Sequence, residues 1–235
     1  MKQVLTIGGK SLSDFHAWYD GSEWWKMPQK EIENLQIPGK NGDLTIDGHR
    51  FSNITIPFNC YIHKNFAQNY SNLINYLMSL TGYQRIESSE EPDVFRMGLI
   101  KAQIEPVMGQ FNFRGQFSID IDFMPQKWLK IGENRIEVNG SETLVNPTAF
   151  DAAPTLYVQG TGDITVNDST MTLANNTGTT VIDCGAQNVY EGTINRNSDI
   201  TLTDNAFPSL APGTNTIEYG TGITSLVVVP NWWKL

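Results

Sequence analysis

Apolar residues follow two rhythms along this chain. In one segment they recur at helical spacing: Phe66, Tyr70, Leu73, Ile74, Leu77 and Leu80 fall on a single face. That spacing predicts one helix over 66–80, with Asn65 to cap its start and Gly82 beyond its end. Elsewhere the rhythm is that of strands. Phe111, Phe113, Phe117, Ile119, Ile121 and Phe123 fall on one face of a predicted strand over 110–123, and Asn112, Arg114, Gln116, Ser118, Asp120 and Asp122 on the other. Met124-Pro125-Gln126-Lys127-Trp128 is expected to end it, and 95–104 to be its neighbour.

Turn chemistry divides the rest. A strand over 29–37 leads into Pro38-Gly39-Lys40-Asn41-Gly42, which holds two turn dipeptides. Asp47-Gly48 reads as another hairpin turn, so 29–58 is expected to form a meander. Past Asn139-Gly140, short runs near 155, 163, 170, 179, 189, 199, 215 and 225 alternate with turns such as Gly160-Thr161-Gly162 and Gly220-Thr221-Gly222. Many short strands at this spacing predict a sandwich. The expected fold is mainly β in two domains. Residues 1–133 form a β-sandwich with one helix and a long hairpin, and residues 134–235 a second β-sandwich, whose last strand is free to return to the first domain.

Charge sharpens the boundary. Of 235 residues, 16 are Lys or Arg and 25 Asp or Glu. Residues 1–130 hold 13 basic against 14 acidic side chains, and residues 131–235 hold 3 against 11. A net charge of -9 argues against a dedicated nucleic-acid binder. No apolar run is long enough for a signal peptide or a membrane span, so no membrane insertion is expected. Cys60 and Cys184 read as reduced, buried thiols.

Candidate chemistry is sparse. Gly9-Lys10-Ser11 lacks the Gly at position 4 and the helix of a phosphate-binding loop. Cys60 and His63 lie three apart on a strand and so face opposite ways. Asp120 and Asp122, and the acidic run Glu90-Glu91 with Asp93, read as solvated groups rather than a glycosidase pair. Trp24-Trp25 and Trp232-Trp233 suit core packing or a subunit interface better than a sugar platform. Neither a catalytic residue, a cofactor nor a metal site is expected.

Several segments in order resemble the distal tail (Dit) proteins of long-tailed bacteriophages, especially those of Gram-positive hosts. The resemblance begins with Gly8-Gly9-Lys10-Ser11-Leu12-Ser13-Asp14-Phe15 and continues through Ile37-Pro38-Gly39-Lys40-Asn41-Gly42-Asp43-Leu44. Phe123-Met124-Pro125-Gln126-Lys127-Trp128-Leu129 is similar to the family's close of the first domain. Phe207, Pro208, Leu210, Pro212, Gly213, Asn215 and Ile217 match its F-P-x-L-x-P-G-x-N-x-I signature, and Pro230, Trp232 and Leu235 its terminal P-x-W-x-x-L. Asn205-Ala206 departs from it, standing where many relatives carry an acidic residue or Gly.

The resemblance implies a non-enzymatic hub: a homohexameric ring at the virion tail tip, assembled in the host cytoplasm. Such a ring joins the tail tube protein to the tail-associated lysin or fibre protein and to receptor-binding or baseplate proteins. DNA only transits its channel. The second domain would be galectin-like or carbohydrate-module-like. The hairpin Pro38, Gly39, Lys40, Asn41, Gly42 and Asp43 is the candidate ring contact, and Trp128, Trp232 and Trp233 are candidates for interface or packing. The alternative is a carbohydrate-binding module for host cell-wall glycans, which an exposed aromatic platform would mark.

Overall fold

The computed structural model describes residues 3–21, 23–101, 104–109 and 113–235. Two compact units emerge, Met1–Lys127 with Leu235, and Trp128–Lys234. Both are mainly β. Phe111 and Asn112 of the expected 110–123 alternation lie outside the described residues.

The first unit contains β1 (Leu5–Ile7), β2 (Lys10–Ser11), β3 (Ala17–Asp20), β4 (Lys30–Leu35), β5 (Leu44–Phe51), β6 (Ile54–Ile62), α1 (Phe66–Ser79), β7 (Gln84–Ser88), β8 (Val94–Ile100), β9 (Pro106–Met108) and β10 (Gly115–Leu129). Its main sheet runs β2-β1-β7-β8-β10-β6-β3, with β9 on the start of β10. Gln3, just ahead of β1, exchanges backbone hydrogen bonds with Tyr19 in β3 at 3.4 and 3.1 Å. The two ends of the sheet are thereby drawn together, and it curls round its core. Phe117, Ile119, Ile121 and Phe123 bury their side chains inside, as the alternation requires. The strand does not stop at Met124. Its ladder with β6 ends at Phe123, so the missing N–H of Pro125 costs no bond on that side.

The helix buries Phe66, Leu73 and Leu77. Tyr76 donates to the carbonyls of Ile7 and Gly8 at 2.6 and 2.9 Å, which ties the helix to the β1–β2 turn. Asn65 is not the side-chain cap its type suggested. It adopts a left-handed conformation, makes no cap bond, and contributes its carbonyl to the Asn69 N–H.

The meander expected over 29–58 is also corrected. Asp47-Gly48 is no turn: β5 runs through it, opposite a register shift between Lys30 and Ile32. The Asp47 Oδ1 accepts from the His49 N–H at 2.9 Å, and His49 carries the positive φ instead. A local bond of this kind satisfies Asp within a bulged strand, where its sequence alone mimics a hairpin. Strands β4 and β5 form a separate two-stranded sheet, while β6 joins the main sheet between β10 and β3.

The second unit contains β11 (Ile136–Val138), β12 (Ser141–Asn146), β13 (Thr155–Gly160), β14 (Gly162–Val166), β15 (Ser169–Leu173), β16 (Thr179–Asp183), β17 (Asn188–Glu191), β18 (Ile194–Asn195), β19 (Ile200–Leu202), β20 (Gly213–Tyr219), β21 (Ile223–Val229) and β22 (Trp233–Lys234). Two antiparallel sheets, β11-β21-β13-β16-β17-β18 and β12-β20-β14-β15-β19, share one core. Leu156, Val158, Ile164, Ile182, Ile217 and Val228 are among the side chains that fill it. The expected runs become strands, except that the run over 189–195 folds back at Gly192 into the paired strands β17 and β18.

Two glycine turns lock this sandwich. The Thr161 N–H donates to the Gly222 carbonyl at 3.1 Å. A Cβ on Gly160 would lie 2.1 Å from that same oxygen, and one on Gly222 would lie 2.3 Å from the Thr161 oxygen. Both glycines have positive φ. Only residues without a side chain permit this close crossing of backbones.

Candidate assembly interface

The β4–β5 hairpin presents an apolar face that is exposed among the described residues. Register places Leu35 opposite Leu44, and Glu33 opposite Ile46, on that face. Leu35, Leu44 and Ile46 are 41%, 46% and 45% exposed. Ile32, on the other face, and Ile37, past the end of β4, are exposed as well. An isolated two-stranded sheet is marginal in water, and a contiguous exposed apolar face marks a surface that meets a partner. Pro38, Gly39, Lys40, Asn41, Gly42 and Asp43 form the exposed connection at its tip, with positive φ at Gly39 and Gly42.

The hairpin stands on a fixed root. The Ser52 N–H donates to the Gln29 carbonyl at 3.0 Å, closing its two legs. Ahead of Gln29, Trp24 is fully buried, and its indole N–H donates to Glu91 Oε2 at 2.9 Å. The Lys127 ammonium reaches the same oxygen at 3.1 Å. Arg96, also fully buried, donates to the Lys26 carbonyl at 3.2 Å. Its guanidinium lies 5.1 Å from the Trp24 ring centre and 5.4 Å from that of Phe123. Burial pulls the Arg96 pKa down to about 10, against the opposing pull of Glu91. It is still a cation at neutral pH, so three charges sit beneath the root. The reading of Glu90-Glu91 as a solvated loop is therefore wrong for Glu91, and Glu90 accepts from the buried Tyr19 hydroxyl. Nothing in the local sequence signals this, because the partners lie 36 and 67 residues away.

The tryptophans separate. Trp24 is buried and Trp25 is half exposed, beneath the Lys127 ammonium at 4.9 Å. Trp128 is partly buried, while Trp232 belongs to the second unit's core. Trp233 stacks on Phe150 at 4.4 Å between centres and donates to the Asp151 carbonyl at 2.8 Å. The Trp232 carbonyl accepts from the Leu129 N–H at 2.8 Å, and β22 pairs with β10. Every aromatic side chain of that unit is at least partly buried.

The 207–217 segment is a brace within the second sandwich. Phe207 packs on the core, Pro208 is buried, and Leu210 exchanges backbone bonds with Ala152 at 3.0 and 2.8 Å. Pro212 is exposed, and Gly213 opens β20 with positive φ. Buried Asn215 donates to the carbonyls of Ala211 and Gly213 and accepts from Asn167 at 2.9 Å. Pro230 is buried just after β21.

A second surface of the first unit is concave. A groove of about 740 Å³ is bordered by Asp20, Tyr61, His63, Met108, Arg114 and Gln116. The rings of Tyr61, His63 and Trp18 cluster beside it, with centres 4.9 to 6.2 Å apart. Sequence offered no sign of it, since its residues come from four separated segments.

Reactive groups are not assembled. Cys60 is buried, which pushes its thiol well above the ordinary range, and His63 is exposed. Asp122 is paired with Lys101 at 2.6 Å. Among the described residues no three His, Cys, Asp or Glu side chains are grouped to hold a metal, and no helix is long and apolar enough to cross a membrane.

Comparison with solved structures bears on the whole chain. The SPP1 Dit protein (gp 19.1), described as a paradigm of the hub adsorption apparatus of phages infecting Gram-positive bacteria, superimposes with a TM-score of 0.76 over 100% of both chains, at 14% identity. This is the Dit fold. A chain of the phage p2 baseplate, solved in its activated conformation with strontium, shows the Dit-like likeness more distantly. Its TM-score is 0.50, over 96% of this chain and 97% of that one, at 9% identity. No known protein family matches by sequence, and no curated protein matches.

Proposed function

We propose that this chain is a structural hub of a phage tail tip, built as a homohexameric ring. The Dit fold carries the reading, since the likeness to SPP1 Dit covers 100% of both chains. In this reading the ring joins the tail tube protein to the tail-associated lysin or fibre protein and to receptor-binding or baseplate proteins. DNA passes through it only in transit. Assembly takes place in the host cytoplasm, and the mature position is the virion tail tip. The protein has no catalytic role.

A head-to-tail ring needs two different patches on each subunit. The apolar face of the β4–β5 hairpin is our candidate for one, and the aromatic groove beside Tyr61 for the other. Residues near Trp128 are proposed to add to the contact.

Electron microscopy of the purified chain, with mass measurement, tests the proposal. Six-fold rings with a central channel are expected. A chain that remains monomeric both alone and when co-expressed with its neighbouring tail proteins would sink it. Glycan binding in the absence of rings would favour the carbohydrate-module reading.

A further inference from the structure

From the geometry of the hairpin tip we infer that Asn41-Gly42 is a self-modification site, at which the free chain converts Asn41 to an aspartyl or isoaspartyl residue. Asn41 and Gly42 are exposed and lie outside both strands. Among the described residues no hydrogen bond holds the Asn41 side chain or the Gly42 N–H. The last backbone bond before them runs from the Lys40 N–H to the Ile37 carbonyl, at 3.1 Å. Gly42 has φ +84 with nothing within 4 Å of where a Cβ would stand. Among the described residues no backbone bond ties the 41–42 peptide.

The chemistry needs only water. The Gly42 amide nitrogen gives up its proton to solvent base and attacks the Asn41 side-chain carbonyl carbon. A new C–N bond closes a five-membered imide, the C–NH₂ bond breaks, and ammonia leaves with the proton. Water then opens the imide at either carbonyl, so that one C–N bond breaks and a carboxylate forms. No atom changes oxidation state. The product places a new negative charge beside Lys40 and Asp43, and the isoaspartyl form adds one carbon to the main chain of the tip.

The same dipeptide elsewhere in the chain provides an internal control. Asn139-Gly140 is also exposed, with Gly140 at φ +82. Its turn is stapled, however. The Gly140 carbonyl accepts from the Tyr219 N–H at 3.1 Å, and the flanking Val138 and Ser141 are paired with Leu226 and Glu218. Those bonds restrain the turn that carries Asn139 on both sides, whereas the tip at 41–42 has no such ladder.

The inference goes beyond the hub reading and does not depend on it. If rings form through this hairpin, the reaction stops on assembly, and the modified fraction records time spent as free subunit.

Peptide mapping by mass spectrometry tests it on the purified monomeric fraction, held at mildly alkaline pH and sampled over days. A gain of about one dalton is expected in the 41–50 peptide, several-fold faster than at Asn139. Asn41→Gln should abolish the gain, because its longer side chain closes a less favoured ring. In the urea-unfolded chain the two rates should converge. An equal or slower rate at Asn41 in the folded chain would overturn the inference. So would a difference that persists undiminished in urea. Because the monomer alone is assayed, neither result bears on ring formation.

Discussion

Glu91 carries more of the first unit than its place in an acidic run suggests. It is the counter-charge for buried Lys127 and lies under the influence of Arg96. Replacing it by Gln keeps an acceptor for Trp24 but leaves two buried cations without their carboxylate. Breaking a buried pair in this way costs about 3–5 kcal/mol. Glu91→Gln should therefore lower the urea midpoint of the first unit steeply. Adding Lys127→Met should recover part of the loss, whereas an additive loss in the double variant would show that the pair is not coupled. Asn215→Ala tests the brace at 207–217. It strands the carbonyls of Ala211 and Gly213 and the Asn167 amide, at about 1–3 kcal/mol for unsatisfied buried groups. Gly160→Ala meets a backbone oxygen at 2.1 Å in a left-handed conformation. About 2–4 kcal/mol of destabilisation is expected from strain and overpacking combined, read by calorimetry of the second unit.

Single elements differ in how far they could be read from sequence. The alternation gave strand and inner face correctly for Phe117, Ile119, Ile121 and Phe123, because a curled sheet with one buried side imposes period two, but not for Phe113, which precedes β10 and is exposed. The helix was legible for the same reason at its own period. Asp47-Gly48 misled, since a bulge and a hairpin turn favour the same residue types. The hairpin should respond to acid through Asp47. The Lys30 ammonium bonded to Asp47, with the His49 N–H, holds that carboxyl below the usual range. A carboxyl lowered in the folded state stabilises it fully above the ordinary carboxylate pKa, and the contribution fades as pH falls through the lowered value. Strands β4 and β5 should thus loosen first in acid, seen as faster amide exchange at 30–35 and 44–51. Asp47→Asn should flatten that dependence, and an unchanged acid profile in the variant would refute the assignment.

For the whole molecule, the decisive variable is concentration. If the hairpin face is an inter-subunit surface, Gly42→Val combined with Trp128→Ala should shift light-scattering mass from hexamer towards monomer. A hexamer unchanged by both would remove these residues from the contact. The charge asymmetry near residue 130 is a matter of composition and can be counted from sequence, whereas the groove beside Tyr61 and the ion cluster under the hairpin arise only when distant segments meet. At 14% identity, this chain and SPP1 Dit reach one fold with mostly different side chains. Sequence constraint should then concentrate where main chain touches main chain, as it does where Gly160 and Gly222 cross. Those two positions should therefore vary as one. Lineages diverging from this chain should keep both glycines or lose both together, and loss should coincide with a change in the length of one of the two turns.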